Sequence, residues 1–74
     1  MNTITGIQFG TADEAIQHTY ASGRGEAIAV AGKYLVVEPA EARRLEADGV
    51  EFAYLLVHDR PDGTEVVVAI PVNG

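Results

Sequence analysis

The stretch VEFAYLLVHDRPDGTEVVVAIPV, residues 50–72, decides the fold. Two apolar runs rich in β-branched and aromatic residues flank the turn signal Arg60-Pro61-Asp62-Gly63, so the stretch reads as a β-hairpin. Two turns compete for its register. A two-residue Asp62-Gly63 turn sets Leu56 opposite Ala69 and Val57 opposite Val68, and this mixes the faces because side chains alternate with period two. A type I turn with Pro61 at its first central position and Gly63 in the left-handed region, closing a bulge, pairs Leu56 with Val68, Tyr54 with Ile70 and Phe52 with Val72. The second turn is preferred. It gathers Val50, Phe52, Tyr54, Leu56, Val66, Val68, Ile70 and Val72 on a heavy face and leaves Ala53, Leu55, Val57, Val67 and Ala69 on a lighter one. Neither face is polar.

Upstream, Glu26 to Glu38 reads as a second hairpin of the same kind. A Gly32-Lys33 turn of type II′ pairs Val30 with Leu35 and Ile28 with Val37, and the opposite face carries Ala27, Ala29, Ala31, Tyr34 and Val36. Between the hairpins, Pro39 suits the first position of a helix and Glu41 its first turn. In Leu45-Glu46-Ala47-Asp48-Gly49-Val50 the glycine takes the left-handed position and Val50 folds back on Leu45, a Schellman stop. This helix is expected over residues 39–48.

An earlier helix is expected over residues 12–22. Thr11-Ala12-Asp13-Glu14 is a capping box, Ala12, Ala15, Ile16, Thr19 and Tyr20 make one apolar stripe, and Gly23 offers the stop. Residues Met1 to Gly10 carry only a weak strand pattern around Ile4, Ile7 and Phe9. The whole is a single α+β domain over residues 1–74, in the order (β)αββαββ. The expected architecture is two layers, an antiparallel sheet of four or five strands built from two hairpins with two short helices. The order suggests an αββ duplication or, if the first segment is a strand, the split βαβ (ferredoxin-like) arrangement with one extra strand.

Composition narrows function by exclusion. The chain has 74 residues and no cysteine, so disulfides and thiolate zinc sites are ruled out, and an intracellular, cytoplasmic protein is expected. No apolar run reaches the roughly 20 residues of a membrane-spanning helix. Eleven acidic against five basic residues, a formal charge of −6, repel a phosphate backbone. Neither nucleic acid nor membrane is expected as a partner, and no catalytic, cofactor or metal motif is present. Ser22-Gly23-Arg24-Gly25 fits no phosphate-loop spacing and follows its helix, where carbonyls rather than amides project. Glu14 and His18, with His58 and Asp59, have no spacing that demands a metal. Ser22, a histidine and Asp59 supply the ingredients of a nucleophilic triad without the strained turn it needs. Arg43 and Arg44, flanked by Glu41 and Glu46, read as surface ion pairs.

What remains is the second apolar face. If both helices lie on the heavy face, Ala27, Ala29, Ala31, Val36, Leu55, Val57, Val67 and Ala69 form an exposed patch that soluble monomers seldom tolerate. The leading expectation is therefore a small acidic interaction module that forms a homo-oligomer, most simply a dimer, through that patch, with a different protein or a small apolar ligand as the other candidates to cover it. A second class is a small ligand-binding protein or enzyme with a site at a subunit interface around Tyr34, His58, Asp59 and Arg60. A third is an acidic inhibitor of a nucleic-acid-binding protein. One stability test follows from the cap alone: Thr11→Ala should lower stability by about 1 kcal/mol, read as a lower urea midpoint.

Overall fold

The structure, a computed structural model, describes residues 3–74; Met1 and Asn2 of the weak N-terminal segment lie outside the described residues. The elements are β1 (Ile7–Phe9), α1 (Ala12–Ser22), β2 (Glu26–Val30), β3 (Lys33–Val37), α2 (Pro39–Ala47), β4 (Phe52–Asp59) and β5 (Glu65–Val72). The α+β class, the element order and both hairpins stand as read. All five strands join one antiparallel sheet in the order β1-β3-β2-β4-β5.

The local signals act as their chemistry requires. The Thr11 hydroxyl accepts from the Glu14 amide at 3.2 Å, and the Glu14 carboxylate accepts from that hydroxyl at 3.2 Å. Gly49 closes the Schellman stop at φ 76°, with the Val50 amide donating to the Leu45 carbonyl at 3.0 Å. In the main hairpin Leu56 faces Val68, Tyr54 faces Ile70 and Phe52 faces Val72, the bulged register.

The second hairpin corrects the expected register by two residues. Ile28 faces Leu35, Val30 faces Lys33 and Glu26 faces Val37, around a two-residue turn of Ala31 and Gly32 with φ 51° and 76°. Positive φ at both positions gives the turn whose twist matches the strands, although Ala31 is strained there. The expected register would have drawn Glu38 and Pro39, the residues that cap and open α2, into the strand opposite Ala27 and Glu26. The observed one completes five pairs and leaves Glu38 and Pro39 free to open α2. A shift of two preserves which side chains share a face.

The layering departs from expectation. Ala15 and Ile16 of α1 pack on Ala27, Val36 and Leu55, whereas Ala42 and Leu45 of α2 pack on Ile28, Val30, Leu35, Val37 and Phe52. These sets lie on opposite faces, so the order is helix, sheet, helix rather than two layers. Topology supplies the reason. The crossovers β1-α1-β2 and β3-α2-β4 each step two places across the sheet in the same direction, but β1 and β3 are antiparallel. Crossovers of one hand must then place their helices on opposite faces. The first crossover is a split βαβ unit. The ferredoxin-like completion would bring β4 beside β1; here β4 lies beside β2. The αββ duplication also fails geometrically, because a half-turn relating two antiparallel hairpins within one sheet would set both helices on one face.

Two substitutions of opposite sign check these backbone assignments by urea unfolding. Gly49→Ala should destabilise by about 1 kcal/mol, since the site is spacious and only its φ resists a side chain. Ala31→Gly should stabilise by about 1 kcal/mol by relieving a left-handed alanine.

Candidate functional site

The expected interface residues prove to be mostly interior. Ala27, Val36 and Leu55 are buried beneath α1, and Ala29, Val57 and Val67 are half-buried in the same cluster. Ala31 sits in a turn, and only Ala69 remains as an exposed member of that face. No second copy can pack there, since α1 occupies the place. The assumption that both helices share the heavy face caused the error.

The expected polar site is not assembled within one protomer. Tyr34 pairs with Ala29, which pairs with Ala53, and His58 lies five residues further along β4. That separation is about 17 Å along the strand and about 10 Å across it. His58, Asp59 and Arg60 are exposed at the hairpin tip, while Tyr34 packs half-buried with the α1 cluster. His18 lies 5.2 Å from Phe9, ring to ring. Among the described residues no three His, Cys, Asp or Glu side chains are grouped to hold a metal ion.

The exposed apolar surface lies instead on the heavy face. Leu56, Val68 and Ile70 are 47%, 39% and 45% exposed, and the register makes them neighbours. A helix about 10 Å wide covers roughly two strands spaced 4.8 Å apart, so one helix cannot roof five strands. Both helices sit over β2, β3 and the start of β4, and neither cluster's buried members include β5. The hairpin also outruns the sheet. Extending the Ile28-Tyr54 pairing sets Glu26, the first residue of β2, opposite Leu56, so Val57 to Asp59 pair with β5 alone.

This projecting arm is held in shape at both ends. At its base the Asn73 side-chain amide donates to the Glu46 and Val50 carbonyls at 2.9 and 3.2 Å. At its tip Asp62 accepts from the Thr64 amide and hydroxyl at 3.0 and 2.7 Å, which holds its carboxyl below the usual carboxylate range. The signal for the exposed face was present in the sequence as a mismatch of lengths, eight-residue strands against five-residue ones.

A concavity of about 350 Å³ opens where β1 begins and α1 ends, among Thr5, Ile7, His18, Ser22, Arg24 and Glu38. Its polar groups largely satisfy one another. The Ser22 hydroxyl sits 2.8 Å from the His18 carbonyl and 3.0 Å from the Arg24 carbonyl, so its proton is directed to the backbone and not to a base. Arg24 pairs with Glu38 at 2.7 Å. The arrangement offers shelter for a small solute and no activated nucleophile.

On the other face Arg44 takes the Glu41 carboxylate with two nitrogens, each at 2.8 Å, and reaches Asp48 and the Thr3 carbonyl. Glu41 in turn accepts from the Thr5 amide at 2.8 Å, so this pair straps the N-terminal segment to α2. Comparison of the chain with family models, curated proteins and solved structures returned no match.

The Arg44 guanidinium and the Thr5 amide hold the Glu41 carboxyl at about 2, against an ordinary 4.5. A depressed carboxylate contributes stability that is present above its unfolded value and lost as pH falls through its folded one. Stability should therefore carry a Glu41 contribution that fades between pH 4.5 and about 2, and Glu41→Gln should flatten that part of the pH profile of urea midpoints.

Proposed function

We propose that this chain is a small acidic cytoplasmic interaction module, without catalytic chemistry of its own, that self-associates through the β4-β5 arm. The contiguous exposure of Leu56, Val68 and Ile70 on the heavy face of the arm, which neither helix covers, carries the reading. Bulk dimensions support it. A compact monomer of 7.8 kDa is expected to expose about 4,400 Å² and a chain of this length to have a radius of gyration of about 11.3 Å. The protein exposes 4850 Å² with a radius of 12.3 Å, and extends 43 Å in its longest direction. Burying the arm against a second copy removes that excess without further sequence, and a closed two-fold pair is the commonest solution for a soluble protein.

The absence of cysteine suits a reducing compartment, and among the described residues no helix is long and apolar enough to cross a membrane. The concavity beside His18 and Arg24 favours a second reading, a small-ligand-binding protein, because its volume lies at the lower end of the range of ligand sites.

Light scattering at high micromolar concentration should give a dimer mass. Val68→Lys and Ile70→Lys should each give a monomer with an unchanged circular dichroism spectrum. A native chain that stays monomeric would refute self-association. Val67 is unsuited to this test because it packs half-buried against the α1 cluster, so a charge there would disturb folding.

A further inference from the structure

The sheet has two edges, and they are protected very differently. β1 offers three residues, too short to template a partner strand. β5 offers eight, with no lysine and no bulge along its paired length. Long, flat, apolar edges are what monomeric sheets avoid.

The bonding pattern along β5 shows which groups face outward. The Arg60 amide donates to the Thr64 carbonyl at 2.8 Å, and in an antiparallel ladder bonded and unbonded pairs then alternate. Val66, Val68, Ile70 and Val72 therefore bond to β4, while Glu65, Val67, Ala69 and Pro71 turn their backbone groups away. Pro71 agrees with this assignment, because it has no amide hydrogen and faces Ala53 at a position that needs none. The edge thus ends in a proline on one side and a tight turn on the other. Between them lie three donor-acceptor positions, at 65, 67 and 69, spaced evenly about Val67.

Resting on the self-association reading above, we propose that β5 pairs edge to edge with β5 of a second copy, antiparallel about a two-fold axis at Val67. The pairing continues the two sheets into one of ten strands. Val67 then faces its own counterpart, and Glu65 faces Ala69 of the second copy. All three outward positions of each edge are used and neither proline lies within the bonded tract. On the heavy face Val66 meets Val68 of the second copy and Ile70 meets Thr64, so the exposed flanks of Val68 and Ile70 become cross-strand contacts.

The self-complementary spacing of the outward positions about Val67 is what fits a second copy, and the charge distribution permits the approach. The protein carries −6, yet Val66 to Val72 contains no charged residue, so this is a tract along which two acidic molecules can approach closely. The two Glu65 side chains, four residues out of register, stay about 14 Å apart, beyond a Debye length of about 8 Å.

Because the chain has no cysteine, single-cysteine variants report the register cleanly. Val67→Cys should convert mostly to a disulfide-linked dimer in a glutathione redox buffer, since directly opposed α-carbons about 5.5 Å apart lie within disulfide reach. Ala69→Cys, opposite Glu65, should cross-link at least ten-fold less. A mixture of Val66→Cys and Val68→Cys should yield the mixed dimer in preference to either like pair. Val67→Pro, which keeps the bond pattern to β4 as Pro71 does, should weaken dimerisation at least ten-fold in sedimentation equilibrium. A wild-type dimer in which Val67→Cys fails to cross-link, or Ala69→Cys cross-links equally well, would overturn the edge pairing and leave face-to-face association through Val68 and Ile70. A wild-type monomer would overturn both readings at once.

Discussion

The constraint on which the rest depends is a sheet that is apolar on both faces and has, among the described residues, two helices to cover it. Strands of this kind need cover above and below, since the alternating positions of each strand deliver Val, Ile, Leu and Phe to one side and Ala, Val, Leu and Tyr to the other. Stacking both helices on one side would leave an entire face in water. The chain avoids this by stepping both crossovers the same way across the sheet from antiparallel starting strands, which throws α1 to one face and α2 to the other. Each helix then seals the centre with few side chains. Ala15 and Ile16 suffice on the light face, whose alanines permit close approach, and Ala42 and Leu45 on the heavy one.

The same economy leaves the edge bare. Full burial of an Ile or Leu side chain contributes about 1.5–3 kcal/mol, and the largest fully buried residues, Ile28, Leu45 and Val37, all lie at the contact between α2 and the middle of the sheet. Toward β5 that support fades, and the arm is held by its ladder to β4, the Asn73 tie at its base and the Asp62 turn at its tip. A two-stranded ribbon is marginal by itself. An arm that keeps eight paired residues while exposing three large aliphatic side chains is the surface on which the proposed self-association rests. The opposite end is finished more thoroughly: β1 is short, and Arg44 and Glu41 strap the segment before it onto α2.

Much of this was legible in residues 50–72 and in the local stops. Period-two alternation and the Pro61-Gly63 turn determined the register of the main hairpin, because a single slip would have mixed its faces. Thr11, Gly23, Pro39 and Gly49 determined the helix ends, because caps and left-handed stops are local chemistry read within a few residues. The second hairpin was less legible. Its turn depends on whether Ala31 will accept a positive φ, and its far end competes with the start of α2 at Glu38 and Pro39, which lies outside the hairpin.

The sequence by itself thus determined the element order, the α+β class and the fact that two apolar faces needed cover. Only the tertiary structure decided which helix covers which face, because that follows from strand order and crossover hand, and neither leaves a trace in a local pattern. The candidate site moved with that decision. Ala27, Val36 and Leu55 became core beneath α1, and Leu56, Val68 and Ile70, read from the sequence as core, became surface because α2 is too narrow to reach them.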